Sequence, residues 1–194
     1  MFTHEGKFIR KFGSRGTGLG QLKGPCGIAL DQDRRVIVCD RDNHRIHVFD
    51  ADGQPVVHFG GSGDADGKFN CPRHVTVNQE GEILVSDAGN FRVQKLSIKG
   101  EFLSKFGSKG NNNGQFSCPA GIAVDAEDHV VVADLKSQCV QLFDGEGGFI
   151  KKIGELDSPV KNGSSLFNKP TGVAISGNGN VVVADRGNHK LQMF

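Results

Sequence analysis

Four aspartates at one repeated position are the residues of this chain best placed to do chemistry. Asp40, Asp87, Asp134 and Asp185 each close a short β-branched run. Carboxylates gathered on one rim could hold a divalent cation or work as an acid–base pair. A structural reading competes, and it is the stronger. An Asp where one strand turns into the next accepts backbone N–H bonds and closes the turn. Its presence in every repeat marks scaffold work rather than a single site. Asn43, Asn90 and Asn188 follow three residues later and share the role, because Asn tolerates left-handed backbone.

The other reactive residues form no constellation. Seven histidines, from His4 to His189, fall at unlike strand and loop positions. Cys26, Cys39, Cys71, Cys118 and Cys139 contain no C-x-x-C pair. They read as reduced thiols of a cytoplasmic protein, not as a disulfide frame or a zinc site. Cys26, Cys71 and Cys118 follow the repeat and are expected as buried filling. Cys39 shares its position with Ser86, Ala133 and Ala184, a small packing slot. The chain has no Tyr, and no G-x-S-x-G, H-E-x-x-H or P-loop. The expectation is no catalytic residue, no metal and no cofactor.

The elements that position these residues come from an internal repeat. Pro25-Cys26-Gly27-Ile28-Ala29-Leu30-Asp31 returns from Pro72, from Pro119 and from Pro170, at spacings of 47, 47 and 51. The four aspartates keep the same register. Each period reads as four short strands. The first follows the Pro, where a missing N–H costs little. The second is the β-branched run, such as Val130-Val131-Val132. The third follows the Asp: Arg45–Phe49, Arg92–Leu96, Cys139–Phe143 and Lys190–Phe194. The fourth follows a Gly: Phe8–Phe12, Val56–Phe59, Phe102–Phe106 and Phe149–Ile153. Asp52-Gly53 and Lys99-Gly100 signal tight hairpins between third and fourth strands. No helical period is present. Four-stranded units of about 40–50 residues are blades of a β-propeller, an all-β fold.

The 194 residues make one propeller domain over 1–194, with repeats at 14–60, 61–107, 108–154 and 155–194. The strand within 1–13 is able to complete the last blade. Four repeats fit a piece of a larger ring or a small four-bladed ring. Glycine supplies 28 residues and apolar types 37%, enough for a core and too many for a disordered chain. No run approaches the ~20 apolar residues of a membrane helix, and the start lacks the apolar stretch of a signal peptide.

The blades resemble NHL repeats, named for their Asn-His-Leu signature. Asp40-Arg41-Asp42-Asn43-His44-Arg45-Ile46 and Asp185-Arg186-Gly187-Asn188-His189-Lys190-Leu191 carry it most fully. Asp87-Ala88-Gly89-Asn90-Phe91-Arg92-Val93 is a weaker copy, and Asp134-Leu135-Lys136-Ser137-Gln138-Cys139 lacks the Asn, the His and the basic residue. The linkers from Phe12-Gly13-Ser14-Arg15-Gly16 and Phe106-Gly107-Ser108-Lys109-Gly110 are similar to those of tripartite-motif (TRIM) proteins that end in NHL repeats. That resemblance implies a ring usually of six blades. It implies a parent protein with RING, B-box and coiled coil, often a ubiquitin ligase. Five scattered cysteines cannot make a RING, so this chain would be the recognition end. NHL-like propellers also include an amidating lyase and calcium-dependent hydrolases. The lyase reading implies a zinc site, a catalytic Tyr and disulfides, and the chain has neither a Tyr nor paired cysteines.

Net charge is +1, so binding to a polyanion requires cations segregated on one face. The loops between second and third strands and the loops between blades share a face. They carry Arg41, His44, Arg45, Arg73, His74, Phe91, Arg92, Lys136, Lys169, Arg186, His189 and Lys190. Arg and Lys would meet phosphates there, and His and Phe91 would stack on unpaired bases. Single-stranded or stem-loop RNA is therefore one expected partner. A protein substrate recruited for a ligase elsewhere in the parent protein is the alternative, and a mixed-charge solvated rim is the bland one. DNA and membrane are not expected.

Overall fold

A computed structural model of the chain describes residues 1–153 and 166–194. Two short parallel strands, β1 (Ser14–Arg15) and β2 (Gln21–Leu22), frame the first linker. Blade 1 then holds β3 (Pro25–Leu30), β4 (Val36–Asp40), β5 (Arg45–Phe49) and β6 (Pro55–Gly60). Blade 2 holds β7 (Pro72–Val77), β8 (Ile83–Asp87), β9 (Arg92–Leu96) and β10 (Phe102–Phe106). Blade 3 holds β11 (Pro119–Val124), β12 (Val130–Asp134), β13 (Cys139–Phe143) and β14 (Phe149–Ile153). Blade 4 holds β15 (Pro170–Ile175), β16 (Val181–Asp185) and β17 (Lys190–Met193). Every blade is an antiparallel meander in chain order, as expected.

The core lies between blades, not within them. Ile37, Ile46 and Val48 of blade 1 close on Phe69, Val75 and Ile83 of blade 2. Leu84 and Val93 meet Phe116, Ile122 and Val130, and Val131 and Val140 meet Phe167, Val181 and Val183. Second strands are covered on both faces, so they read as continuous Val/Ile runs; β4, β8 and β12 are buried along their length. Fourth strands lie on the rim and alternate instead, as β10 does. Each linker drives one Phe, Phe69, Phe116 or Phe167, into the seam it precedes.

The innermost strands approach most closely. A Cβ on Gly27 would stand 2.5 Å from the His74 Cα, and one on Gly121 would stand 2.6 Å from the Thr171 carbonyl oxygen. Glycine two residues after the Pro lets neighbouring first strands sit this near the axis. The repeat makes an exception in blade 2, where His74 holds that position.

Three expectations change. Phe8–Phe12 forms no strand: a single bridge joins Phe8 to Phe2, and Phe12 packs on Phe49 of blade 1 at 5.1 Å between rings. Among the described residues nothing pairs along the outer edge of β17. Cys26 and Cys71 are exposed, and of the three strand-start cysteines only Cys118 is buried filling. Cys26 takes the axis-lining position of Arg73, Ala120 and Thr171, and Cys71 sits in left-handed backbone at a linker's end. The Cys39, Ser86 and Ala133 slot is fully buried, as its residue types imply.

The glycine contacts yield a matched pair of expected outcomes. Gly121→Ala will cost about 1–3 kcal/mol, because backbone must shift, and lower the melting temperature by several degrees. Gly172→Ala occupies the same repeat position but meets only the Ala184 Cβ at 3.6 Å. Thermal melting will show little loss there; equal losses for the two would contradict the close-approach argument.

Candidate nucleic-acid interface

The four repeated aspartates are wholly buried. Asp40 accepts the backbone N–H of Lys23 and Gly24 at 2.7–3.2 Å. Asp87 accepts that of Asn70, Asp134 those of Ser117 and Cys118, and Asp185 that of Asn168. These donors belong to the incoming linker, so the carboxylate closes the approach to the first strand rather than only its own turn. Asp134 does both, taking the Lys136 and Ser137 N–H as well. With every oxygen engaged by protein donors, the set makes no cation site, and no cluster of three metal-binding side chains occurs among the described residues.

The Asn side chains complete each knot. Asn43 Nδ2 donates to Asp40 and to the Gly16 carbonyl; Asn90 does so to Asp87 and Gly63, and Asn188 to Asp185 and Leu166. In blade 3 the Ser137 hydroxyl donates to Asp134 in their place. The left-handed residue is not the Asn but the next one. His44, Phe91, Gln138 and His189 have φ of +53° to +57°. The Asn lies inside a single 3-10 turn, and the residue after it reverses the chain into the third strand.

Gln94, Gln141 and Gln192, in mid third strand, form a further tie that sequence reasoning missed. Gln94 Nε2 donates to the Lys68 carbonyl and Gln141 Nε2 to that of Gln115. Their carbonyl oxygens accept from Gly67 and Gly114. Blade 1 has His47 instead. Its ring is fully buried, its Nε2 lies 3.5 Å from Asp40, and neither nitrogen makes a hydrogen bond among the described residues. Burial drives its pKa down to about 4, with Asp40 opposing and His58 and Arg45 reinforcing the shift.

The face these knots hold flat carries the expected cations unevenly. Arg41, Lys136, Lys169, Arg186, His189 and Lys190 are exposed. Arg41 is partnered by Asp42 at 2.8 Å. Arg92 differs from expectation: it is buried, and its guanidinium binds Asp87 at 2.9 Å and the carbonyls of Ala65 and Lys68. Arg45 is half-buried and donates to the Thr17 carbonyl at 2.7 Å. These two therefore fasten linkers, and no basic ring of Arg45, Arg92 and Lys190 faces solvent. His44 Nδ1 accepts the Cys71 N–H at 3.1 Å, which fixes its ring. Burial lowers the pKa of His74, so it adds no charge at neutral pH.

Linkers supply cations that the sequence reading passed over. Lys109 stands 5.2 Å above the Phe91 ring, and Arg15 holds the equivalent position in the first linker. The pattern Ser-Arg/Lys-Gly, at Ser14 and Ser108, was the available signal. On the axis, Arg41, Arg73 and His74 line a cavity of about 180 Å³ with Cys26, Ala120 and Thr171. The opposite rim is acidic. Its first-to-second-strand turns carry Asp31, Asp33, Glu80, Glu82, Asp125, Glu127 and Asp128 against Arg34 and Arg35. Charge that sums to +1 is thus unevenly divided between two faces, with the exposed acids Asp42, Asp64 and Asp66 diluting the basic one.

Cys26 at this cavity donates its thiol to the carbonyl oxygens of Cys39 at 3.6 Å and Pro72 at 3.5 Å; the Cys39 side chain lowers its pKa to about 7, with burial opposing and Arg41 adding to the lowering. Burial raises the Cys39 thiol well above its ordinary value.

The family model described as NHL repeat matches residues 22–49, 69–96, 116–143 and 167–194. Protein lin-41 of Caenorhabditis elegans is 53% identical over 45 residues, 23% of this chain and 4% of that protein. E3 ubiquitin-protein ligase TRIM71 of Rattus norvegicus is 46% identical over 41 residues, 21% of this chain and 5% of that protein. The chain thus matches only a small part of the length of these relatives. Among solved structures, a streptogramin B lyase superposes with a TM-score of 0.65 at 18% identity, over 88% of this chain and 54% of that one. A chain of a nidogen/laminin complex superposes with a TM-score of 0.67 at 15% identity, over 88% and 60%. These two likenesses concern fold alone.

Two outcomes follow from the buried His47 and the Cys26 thiol. His47 binds its proton more weakly folded than unfolded, so stability falls as pH drops from about 6.5 towards 4, by at most roughly 3 kcal/mol. His47→Gln will remove that part of the acid loss. Its advantage in melting temperature will be larger at pH 5 than at pH 8, and a pH-independent difference would contradict the assignment. Alkylation by iodoacetamide, followed by peptide mass, will show Cys26 half-maximally reactive near pH 7 and Cys39 unreactive until unfolding. A Cys26 rate still climbing at pH 8.5 would contradict the lowered thiol.

Proposed function

We propose, from the premise that this chain belongs to the NHL-repeat family, that it is a non-catalytic recognition module whose basic loop face binds RNA. The observation that carries this reading is the division of charge. Exposed cations of the turns and linkers outnumber the acids Asp42, Asp64 and Asp66 on one face, and the acidic turns stand on the other. A polyanion is attracted to the first and repelled by the second. Lys136, Lys169, Arg186 and Lys190 are exposed and form no ion pair among the described residues, and phosphate contacts from such side chains fix register without reading sequence. His189, exposed in left-handed backbone at a turn's end, stands among them as a ring on which an unpaired base stacks, and the half-buried Phe91 lies beneath Lys109. The aspartates take no part in chemistry. Their lone pairs are committed to linker N–H groups, which supports recognition rather than catalysis.

The test is equilibrium binding to a random single-stranded RNA pool across a salt series. Affinity will fall as salt rises, by about 0.7 log unit per log unit for each phosphate contacted. The double variant Arg186→Glu/Lys190→Glu, both exposed, will weaken binding at least tenfold and flatten that slope. Glu80→Gln/Glu127→Gln on the acidic rim will leave it unchanged. Retention of affinity by the first double variant would overturn the RNA reading. A protein ligand held at high salt would favour the recruitment of substrates instead. Arg92→Glu is no test, since it breaks a buried pair.

A further inference from the structure

Strand β3 departs from regular pairing at its start. Pro25 pairs with Asp40 and Gly27 with Cys39, so Cys26 is the extra residue of a bulge and stands between those two pairs. Its Sγ lies 3.6 Å from the Cys39 carbonyl oxygen. Antiparallel neighbours hold opposed Cα atoms about 4.5–5.5 Å apart, inside the ~4.4–6.8 Å that a disulfide bridges. Both thiols belong to the interior seam between blades 1 and 2. Cys39 is wholly buried in the cluster that holds Phe69 and Val75, and the Cys26 thiol crosses the seam to the Pro72 carbonyl at 3.5 Å. The two side chains act on each other: Cys39 is the largest influence lowering the Cys26 pKa, and Cys26 adds to the rise that burial imposes on Cys39.

No other blade repeats this arrangement. Arg73, Ala120 and Thr171 hold the position of Cys26, and Ser86, Ala133 and Ala184 hold that of Cys39. Packing in the slot requires no sulfur, since Ser86 fills it and sends its hydroxyl across the next seam to the Ala120 carbonyl at 2.6 Å. Access to the pair is unequal. Cys26 opens on the axial cavity of about 180 Å³, beside Arg41 and Arg73. A water occupies about 30 Å³ of liquid, so the cavity admits a molecule the size of hydrogen peroxide. The cations there favour the thiolate, the form that reacts. Cys39 has no exposed surface, so an oxidant meets Cys26 first.

We propose that Cys26 and Cys39 are a peroxide-operated thiol pair that closes reversibly into a disulfide across β3 and β4. The Cys26 thiolate attacks one oxygen of the peroxide, the O–O bond breaks, and the second oxygen leaves as hydroxide and takes up a proton. Cys26 is then a sulfenic acid. The Cys39 sulfur attacks the Cys26 sulfur, the S–O bond breaks, and the departing hydroxyl carries off the Cys39 proton as water. Two thiols have lost two electrons and two protons, and one hydrogen peroxide has become two waters. Closure withdraws the Cys26 S–H from the Pro72 carbonyl and its charge from beside Arg41. The state of the pair is thus felt at the axial end of this seam.

The test uses the full chain, reduced, freed of added thiol and given a small molar excess of hydrogen peroxide. Remaining thiols are alkylated, and trypsin cuts between the cysteines at Arg34 and Arg35. Wild type will yield residues 24–34 joined to residues 36–41, in a form that dithiothreitol separates. Cys39→Ser keeps the residue type that blade 2 has in this slot, and circular dichroism will show it folded. Its Cys26 will halt at the sulfenic acid and take up the sulfenic-acid reagent dimedone at least tenfold more than wild type does. Cys71→Ser will form the linked peptide as wild type does, and in Cys26→Ser the Cys39 thiol will stay reduced. An unlinked wild type, Cys26 joined to Cys71, or dimedone labelling of wild type equal to that of Cys39→Ser would each overturn the proposal. So would oxidation of Cys39 in folded Cys26→Ser.

Discussion

A buried carboxylate that holds the linker arriving at its own blade is the interaction on which the rest of this structure depends. Linkers between blades carry backbone N–H groups into places that water does not reach. Left unpaired, each would cost about 1–3 kcal/mol. The Asp at the end of each second strand takes up these donors, and the Asn or Ser three residues on ties the far side of the same linker. Turn, linker and the start of the inner strand become one unit. Only then can the linker Phe enter the seam, and only then do the exposed side chains beside the turn have fixed places.

The strand plan was legible because two-sided burial leaves a plain mark. Val130-Val131-Val132 sits between two blades and must be apolar on both faces. The Pro and Asp markers repeat because each does the same backbone work in every blade. Side-chain direction was not legible. Arg45 and Lys190 share a repeat position and a charge, yet Arg45 turns inward to the Thr17 carbonyl and Lys190 lies in solvent. Arg92 has no sequence mark separating it from a surface cation, because what buries it is a linker folded back over it. The left-handed residue was misplaced by one for a related reason. Asn tolerates that conformation, but here its amide is needed inside the turn, so the following residue bears the reversal. Phe8–Phe12 has a strand's pattern and no strand beside it, and pattern alone cannot supply the partner.

Charge tells a similar story at larger scale. A net of +1 conceals a more basic face, diluted by Asp42, Asp64 and Asp66, and an acidic one, and the fold does the sorting. Turns from second to third strand lie with the linkers, and turns from first to second strand lie opposite. A meander of four strands forces this, since alternate turns must fall at alternate ends. Cations that fasten linkers and cations that face solvent come from one pool of residues, so the formal count overstates what a ligand meets. The exposed subset, with Phe91 under Lys109 and the axial cavity between Arg41 and Arg73, is the surface on which the proposed recognition rests.

The left-handed residue at the end of each turn has a consequence of its own. For an L-residue that backbone state costs about 1–2 kcal/mol, and the chain accepts it with His, Phe, Gln and His in the four blades. The site therefore accepts side chains of several kinds, because the knot beneath it is built from the Asp and its neighbours, although His44 and Phe91 also make contacts of their own. Mutation at exposed His189 alters what the surface displays while leaving the seams intact, whereas Phe91 also packs against the seam between blades 2 and 3. Over generations such a stack of blades can change its vocabulary one blade at a time, and drift in binding preference at its exposed turn residues need not pass through unstable intermediates.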